Sequence, residues 1–246
     1  MGRKYEMQYN SEYFTVAAND IIKGKQSMTL QTARLIRLLV TQVVKEDKDL
    51  KTYSCRITDL ATFFNIDSSN LYRNIREICE NAMKSVVYIG TGNPKQPWEI
   101  FHWLSTAKYD GNGTITLRLS DEIKPYVLQL DKWFTQYQIK NILEFNSFYA
   151  IRLYELIKCE DGINGNYNDY VQFEITELRK CFDCEKKYTS FKDFRRNVIE
   201  VAVREINNKS DMCIAPIYKK TGRKTTKIVF EIKSTYLGQH RIMIKE

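Results

Sequence analysis

The sequence predicts an α+β protein built from two tandem winged-helix domains, and three observations carry that prediction. Residues 57–66, ITDLATFFNI, and 175–184, ITELRKCFDC, share an Ile-Thr-acid-Leu opening, with Phe64 and Phe182 each six residues after the Thr. Behind each phrase comes a longer amphipathic stretch, and behind that a pair of period-two segments around a tight turn. The chain has 246 residues, room for two domains that each bury a core, and the division is expected between residues 140 and 141.

The elements of the first half follow in order. TLQTARLIRLLVTQVV, residues 29–44, sets Ala33, Ile36, Val40 and Val43 at helical spacing before the solvated run KEDKD, which predicts a buried helix. After the extended piece YSCRI, Thr58 is expected to cap the helix DLATFF, with Asp59 in its first turn. NID is the turn. Asp67 or Ser68 then caps SSNLYRNIREICENAMK, whose inner face is Leu71, Ile75, Ile78 and Ala82. SVVYIG, WEIFHWLSTAKY and TITLRLS change to a period of two and read as three strands separated by the turns TGNPKQP and DGNG. SDEIKPYVLQLDKWFTQYQIK predicts a helix, kinked or restarted near Pro125, leading into the second half.

The second half repeats the order. SFYAIRLYELIKCE predicts a well-buried helix through Phe148, Ile151, Tyr154 and Ile157, followed by the loop DGINGNYND and the strand YVQFEI. Thr176 is expected to cap ELRKCF as Thr58 caps its counterpart. Past DCEKKYTS, the helix FKDFRRNVIEVAVREINNKSD turns Phe191, Phe194, Val198, Val201 or Ala202, and Ile206 inward. MCIAPIYKK and KTTKIVFEIK, joined by TGR, predict a second wing. Leu60 and Leu71 are eleven residues apart and Leu178 and Phe194 sixteen, so the second inter-helix turn is the longer.

Composition narrows the function. No window carries 18 uninterrupted apolar residues, and the N-terminus MGRKYEMQYNSEYF lacks the apolar stretch of a secretory signal, so a cytoplasmic protein without a membrane partner is expected. Six scattered cysteines then read as thiols. Cys181 and Cys184 form a C-x-x-C pair, but His102 and His240 stand alone, so neither a metal nor another cofactor is expected. KGKQS and TGRKTT lack the upstream glycine of a phosphate-binding loop, and no His pair offers the metal site of a nicking enzyme. No enzymatic activity is expected.

The net charge of +8 points to a polyanion, and its placement points to duplex DNA. The second long helix exposes Lys192, Arg195, Arg196, Asn197 and Arg204, with Lys186 and Lys187 just upstream. Arg matches guanine O6 and N7, and Asn matches adenine N6 and N7, so the start of this helix suits base reading. Lys219, Lys220, Arg223, Lys224 and Lys227 surround the wing turn, where they would grip phosphate. The first module is poorer: Ser69, Asn70, Arg73, Asn74 and Arg76 are offset by Glu77 and Glu80, and its wing carries only Lys95 and Lys108, which suits auxiliary DNA contact or mainly dimer contacts.

FNSFYAIRLYELIK, VQFEITELRKCF and FKDFRRNVIEVAVREINNKSDMCIAPIYKKTGRKTTKIVFEIK together resemble the C-terminal module of the RepB/RepE-type, iteron-binding plasmid replication initiators. The likeness extends less sharply from VAANDIIKGKQSMTLQTARLIRLLV over the first half. It implies two winged-helix modules on direct repeats at a plasmid origin, monomers that open the origin and recruit host helicase and replication proteins, and autorepressing homodimers joined through the N-terminal module. Lys192, Arg195, Arg196 and Asn197 fall on that family's reading helix, Lys219 to Lys224 on its wing, and Ser69, Asn70, Arg73 and Asn74 on the first module's equivalent helix. A tandem winged-helix transcriptional regulator shares every DNA-binding feature and stays open; a rolling-circle nicking enzyme is disfavoured by the missing His pair.

Overall fold

The computed structural model describes residues 4–90, 93, 95–162 and 169–233. His240 and much of the expected loop DGINGNYND and turn TGNPKQP lie outside those ranges. The N-terminal part opens with β1 (Lys4–Glu6), β2 (Phe14–Ala18), α1 (Asn19–Lys23) and β3 (Lys25–Gln26), none of which periodicity had marked. Helix α2 (Leu30–Val40) is capped by the Thr29 hydroxyl, which accepts from Thr32 N at 3.2 Å. It stops short of the expected Val44 because the Thr41 hydroxyl and the Gln42 amide both donate to Leu38 O, at 2.7 and 3.2 Å, drawing off the last turn.

The first helix-turn-helix follows β4 (Thr52–Arg56) as α3 (Ile57–Phe63) and α4 (Ser68–Lys84). Thr58 does not cap α3. The strand runs directly into the helix, Ile57 is already its first residue, and Ile57 N donates to Gly113 O at 2.9 Å. Thr176 fails for the same reason in α8 (Ile175–Cys181), which begins directly behind a strand and has no side-chain cap. Asp67 does cap α4, its carboxylate accepting from Asn70 N at 2.8 Å.

The strands β5 (Val86–Ile89), β6 (Glu99–His102), β7 (Leu104–Tyr109) and β8 (Thr114–Leu119) form two sheets. WEIFHWLSTAKY was expected as one strand; buried Trp103 divides it, sending β6 into the sheet β3-β5-β6 and β7 into the sheet β1-β4-β8-β7. The long helix expected over 120–140 is also replaced. A 3-10 turn (Asp121–Ile123) and α5 (Lys124–Val127), with Pro125 in its first turn, give way to β9 (Phe134–Gln138), which pairs antiparallel with β2. Positive φ at Gln129 and Trp133 ends helical geometry, and FTQYQ buries Thr135 and Tyr137 while exposing Phe134 and Gln136, a strand's alternation.

After α6 (Lys140–Leu143) and the buried α7 (Phe148–Gly162), the second module comprises β10 (Tyr170–Glu174), α8, α9 (Phe191–Phe194), a π turn (Arg195–Ile199), α10 (Glu200–Lys209), β11 (Cys213–Thr221) and β12 (Lys224–Lys233). The helical run 191–209 is continuous. Its π turn carries one extra residue, so Val198 and Ile199 are both buried ahead of Ala202 and Ile206. Val201, the alternative inner position, is half-buried. The three-stranded sheet has the order β10-β12-β11, and β11–β12 is the wing. Both modules are therefore winged helices.

Buried charge joins α2 to α7. Arg37 of α2 donates twice to the Glu155 carboxylate of α7, at 2.9 and 3.0 Å, and Arg152 donates to the same carboxylate at 2.7 Å. Tyr137 Oη adds a 2.7 Å bond, while Arg152 also reaches Ile22 O and Gly24 O at 2.5 and 2.9 Å. At the surface, Lys25 pairs with Asp183 and Glu185 at 2.8 and 2.9 Å. The extra residues of the second inter-helix turn thus lie against the first half.

Candidate nucleic-acid interface

Two local devices position the second module's long basic helix. The Ser190 hydroxyl accepts from Asp193 N at 3.0 Å and donates to the Asp193 carboxylate at 2.7 Å, which fixes the helix start. Arg179 of α8 donates to Lys187 O and Ser190 O, at 3.1 and 3.2 Å, while its guanidinium covers the Phe194 ring at 4.3 Å. One side chain therefore braces the turn that carries Lys186 and Lys187, both exposed. The long turn also needs positive φ at Asp183 and Tyr188, and Tyr149 of α7 packs on Phe182 and Tyr188 beneath it.

Tyr218, which the sequence did not single out, joins helix to wing. Its ring meets Phe191 edge-on at 5.6 Å, and the Arg195 guanidinium lies over it at 4.8 Å. Lys219 and Lys220 follow at a bulge in β11, and Arg223 and Lys224 stand exposed at the tip, where Gly222 supplies φ of +60°. Lys192 and Arg196 are exposed on the helix, with Asp193 3.8 Å from Arg196. Asn197 is half-buried, and Arg204 is exposed seven residues further on. The cations expected on helix and wing thus flank a shared aromatic contact.

Arg195 is the exception to free presentation. Its Nε donates to Glu200 Oε1 at 2.6 Å, so the side chain is held by a carboxylate and an aromatic ring at once. Lys227 is likewise drawn to Glu174 at 3.0 Å. Cys181 and Cys184 are buried free thiols, and Cys181 donates to Lys23 O at 3.1 Å.

In the first module Ser69, Asn70, Arg73 and Asn74 are exposed along the N-terminal half of α4. Asn74 donates to Asn70 Oδ1 at 2.9 Å, leaving two amides aligned outward. Arg76 and Lys84 share Glu80, at 3.0 and 3.7 Å. Among the described residues no hydrogen bond or ion pair connects α4 with the helical run 191–209.

A braced basic helix beside a basic wing, preceded by a second module of the same build, defines a tandem winged-helix protein with a basic surface on its second module. The chain belongs to the replication initiator family: "Initiator Replication protein, WH1" matches residues 15–158 and "Initiator Rep protein, WH2" matches residues 174–232. Similar curated proteins include a "Replication initiation protein" of Escherichia coli, 25% identical over 228 residues, covering 91% of this chain and 70% of that one. Another is the "PI protein" of Escherichia coli, 24% identical over 213 residues, covering 74% and 69% respectively. Among solved structures, the Pi initiator protein in complex with iteron DNA shares the fold at a TM-score of 0.72 and 21% identity, over 91% of this chain and 98% of that chain. No helix of the described residues is long and apolar enough to cross a membrane.

Proposed function

We propose that this chain is a plasmid replication initiator that binds directly repeated double-stranded sites at its origin. The observation that carries the reading is the surface of Lys192, Arg196 and the wing cations around Tyr218, on a module whose family membership is established. The solved relative bound to iteron DNA supports duplex repeats as the ligand. Arg196 and Asn197 read bases, Lys219, Lys220, Arg223 and Lys224 hold phosphate, and Arg195 joins them when it leaves Glu200. Lys186, Lys187 and Arg204 add peripheral phosphate contacts, while Ser69, Asn70, Arg73 and Asn74 make a lighter second footprint.

In this reading residues 1–140 serve dimerisation and auxiliary contact, and residues 141–246 read the repeats. Binding energy is spent on bending or underwinding the origin, with no chemical step by the protein, and host helicase and replication proteins are then recruited. Dimers repress the gene. Footprinting the full chain on the DNA flanking its gene tests this: protected tandem direct repeats are expected. Protection confined to a lone promoter site, or relaxation of supercoiled origin plasmid in the presence of divalent metal, would overturn it.

A further inference from the structure

A groove of about 720 Å³ runs along α4 where the helix faces β7 and β8. Its floor is apolar, with Ile57, Cys79, Met83 and Ile115 contributing. Burial pushes the Cys79 thiol up to about 11, so the sulfur stays neutral there. Tyr72 and Tyr109 line it as well, 41% and 54% exposed. The Tyr72 hydroxyl occupies the place a Cβ on Gly113 would take, and Gly113 has φ of +88°, so this turn residue lets helix and hairpin meet.

The charged side chains around that floor have one dominant sign. Arg73, Arg76, Lys84 and Lys108 line the groove against one carboxylate, Glu80, which Arg76 and Lys84 already share. Among the described residues the Arg73 and Lys108 side chains have no hydrogen bond or ion pair. A purely apolar occupant would cover these cations without pairing them, which is costly. A phosphate backbone would satisfy the cations but bring nothing apolar to the floor.

We propose that this groove docks an acidic peptide segment of a partner protein, with apolar side chains on the floor and flanking carboxylates against Arg73, Arg76, Lys84 and Lys108. The inference does not depend on which DNA the second module reads. Arg73 is also one of the first module's duplex-facing residues, so a docked peptide competes with the lighter DNA footprint.

The test uses the full chain labelled with 13C at methionine methyls and a fluorescein-labelled peptide carrying a Leu-Phe centre between Asp/Glu flanks. Saturable binding by anisotropy is expected, with the Met83 methyl shifting while those of Met7, Met28 and Met212 hold still. Replacing the peptide's acids with Asn and Gln, its Leu-Phe with Ser, or Lys108 of the protein with Glu should each weaken binding about tenfold. An unmoved Met83 methyl at saturation would overturn the proposal. So would equal binding of the neutral peptide, or a Met83 shift produced by a single-stranded oligonucleotide and not by the peptide.

Discussion

The Arg37 guanidinium and the Glu155 carboxylate form a bidentate pair, at 2.9 and 3.0 Å, with side chains only 3% and 1% exposed. Arg37 lies on α2 and Glu155 on α7, so the pair ties these two helices together. Breaking a buried pair from one side typically costs about 3 to 5 kcal/mol, because a charge is left without a partner. Glu155→Gln removes the counter-charge of both Arg37 and Arg152, whereas Arg37→Met leaves Glu155 bonded to Arg152 and Tyr137. Glu155→Gln is therefore expected to lower the urea midpoint further than Arg37→Met, and equal losses would contradict the shared-carboxylate arrangement.

The same carboxylate sets a pH dependence. Burial acts to raise the Glu155 pKa, but the Arg37 and Arg152 guanidiniums outweigh it and hold the group at about 2. An unfolded Glu titrates near 4.3, so on acidification the unfolded chain takes up this proton first. The stabilisation is complete above the unfolded value and is lost as the pH falls toward about 2. In urea titrations the gap between the wild type and Glu155→Gln should narrow from neutral pH down to about pH 3; a constant gap would exclude the linkage.

Helix caps give a contrast within one chain. Asp67→Ala and Ser190→Ala each remove a bond to a free helical N–H and should cost about 0.5 to 2 kcal/mol by denaturant unfolding. Thr58→Ala and Thr176→Ala remove exposed hydroxyls that cap nothing and should stay within about 0.5 kcal/mol of wild type. A large loss at either Thr would show that the helix starts are misassigned.

Both helix-turn-helix units, both wings and the basic helix were legible because their signals are local: apolar residues at helical spacing, an N-cap at Asp67, glycine at a tight turn. What was not legible depends on distant partners. Phe134–Gln138 becomes a strand by pairing with Phe14–Ala18, more than a hundred residues away, and its neighbouring proline and charges looked helical. WEIFHWLSTAKY has an uninterrupted strand composition, and only burial of Trp103 divides it. The π turn hides because a strict helical period assigns either Val198 or Ile199 inward, not both. Arg37, Arg152 and Glu155 drew no expectation from the sequence, because their pairing exists only where α2 and α7 meet. The expected cations do lie on the helix and the wing, but the Arg195–Glu200 bond and the Tyr218 contact were not legible, since both need three-dimensional proximity.

At the interface the cations should separate by role. Arg196→Ala should cost about 1 to 3 kcal/mol on repeat duplex and relax specificity at one position, whereas Lys220→Ala should weaken all duplexes alike and reduce the salt slope by about one. Glu200→Gln, which takes away the carboxylate holding Arg195, should tighten binding to the repeat. Unchanged affinity would make Arg195 a packing residue on Tyr218.

The most direct measurement is a competition titration at physiological salt between one origin repeat and a random duplex of equal length, with the full chain. Sequence-specific initiation predicts at least about 10³-fold tighter binding to the repeat. Equal affinity for the two duplexes would contradict it.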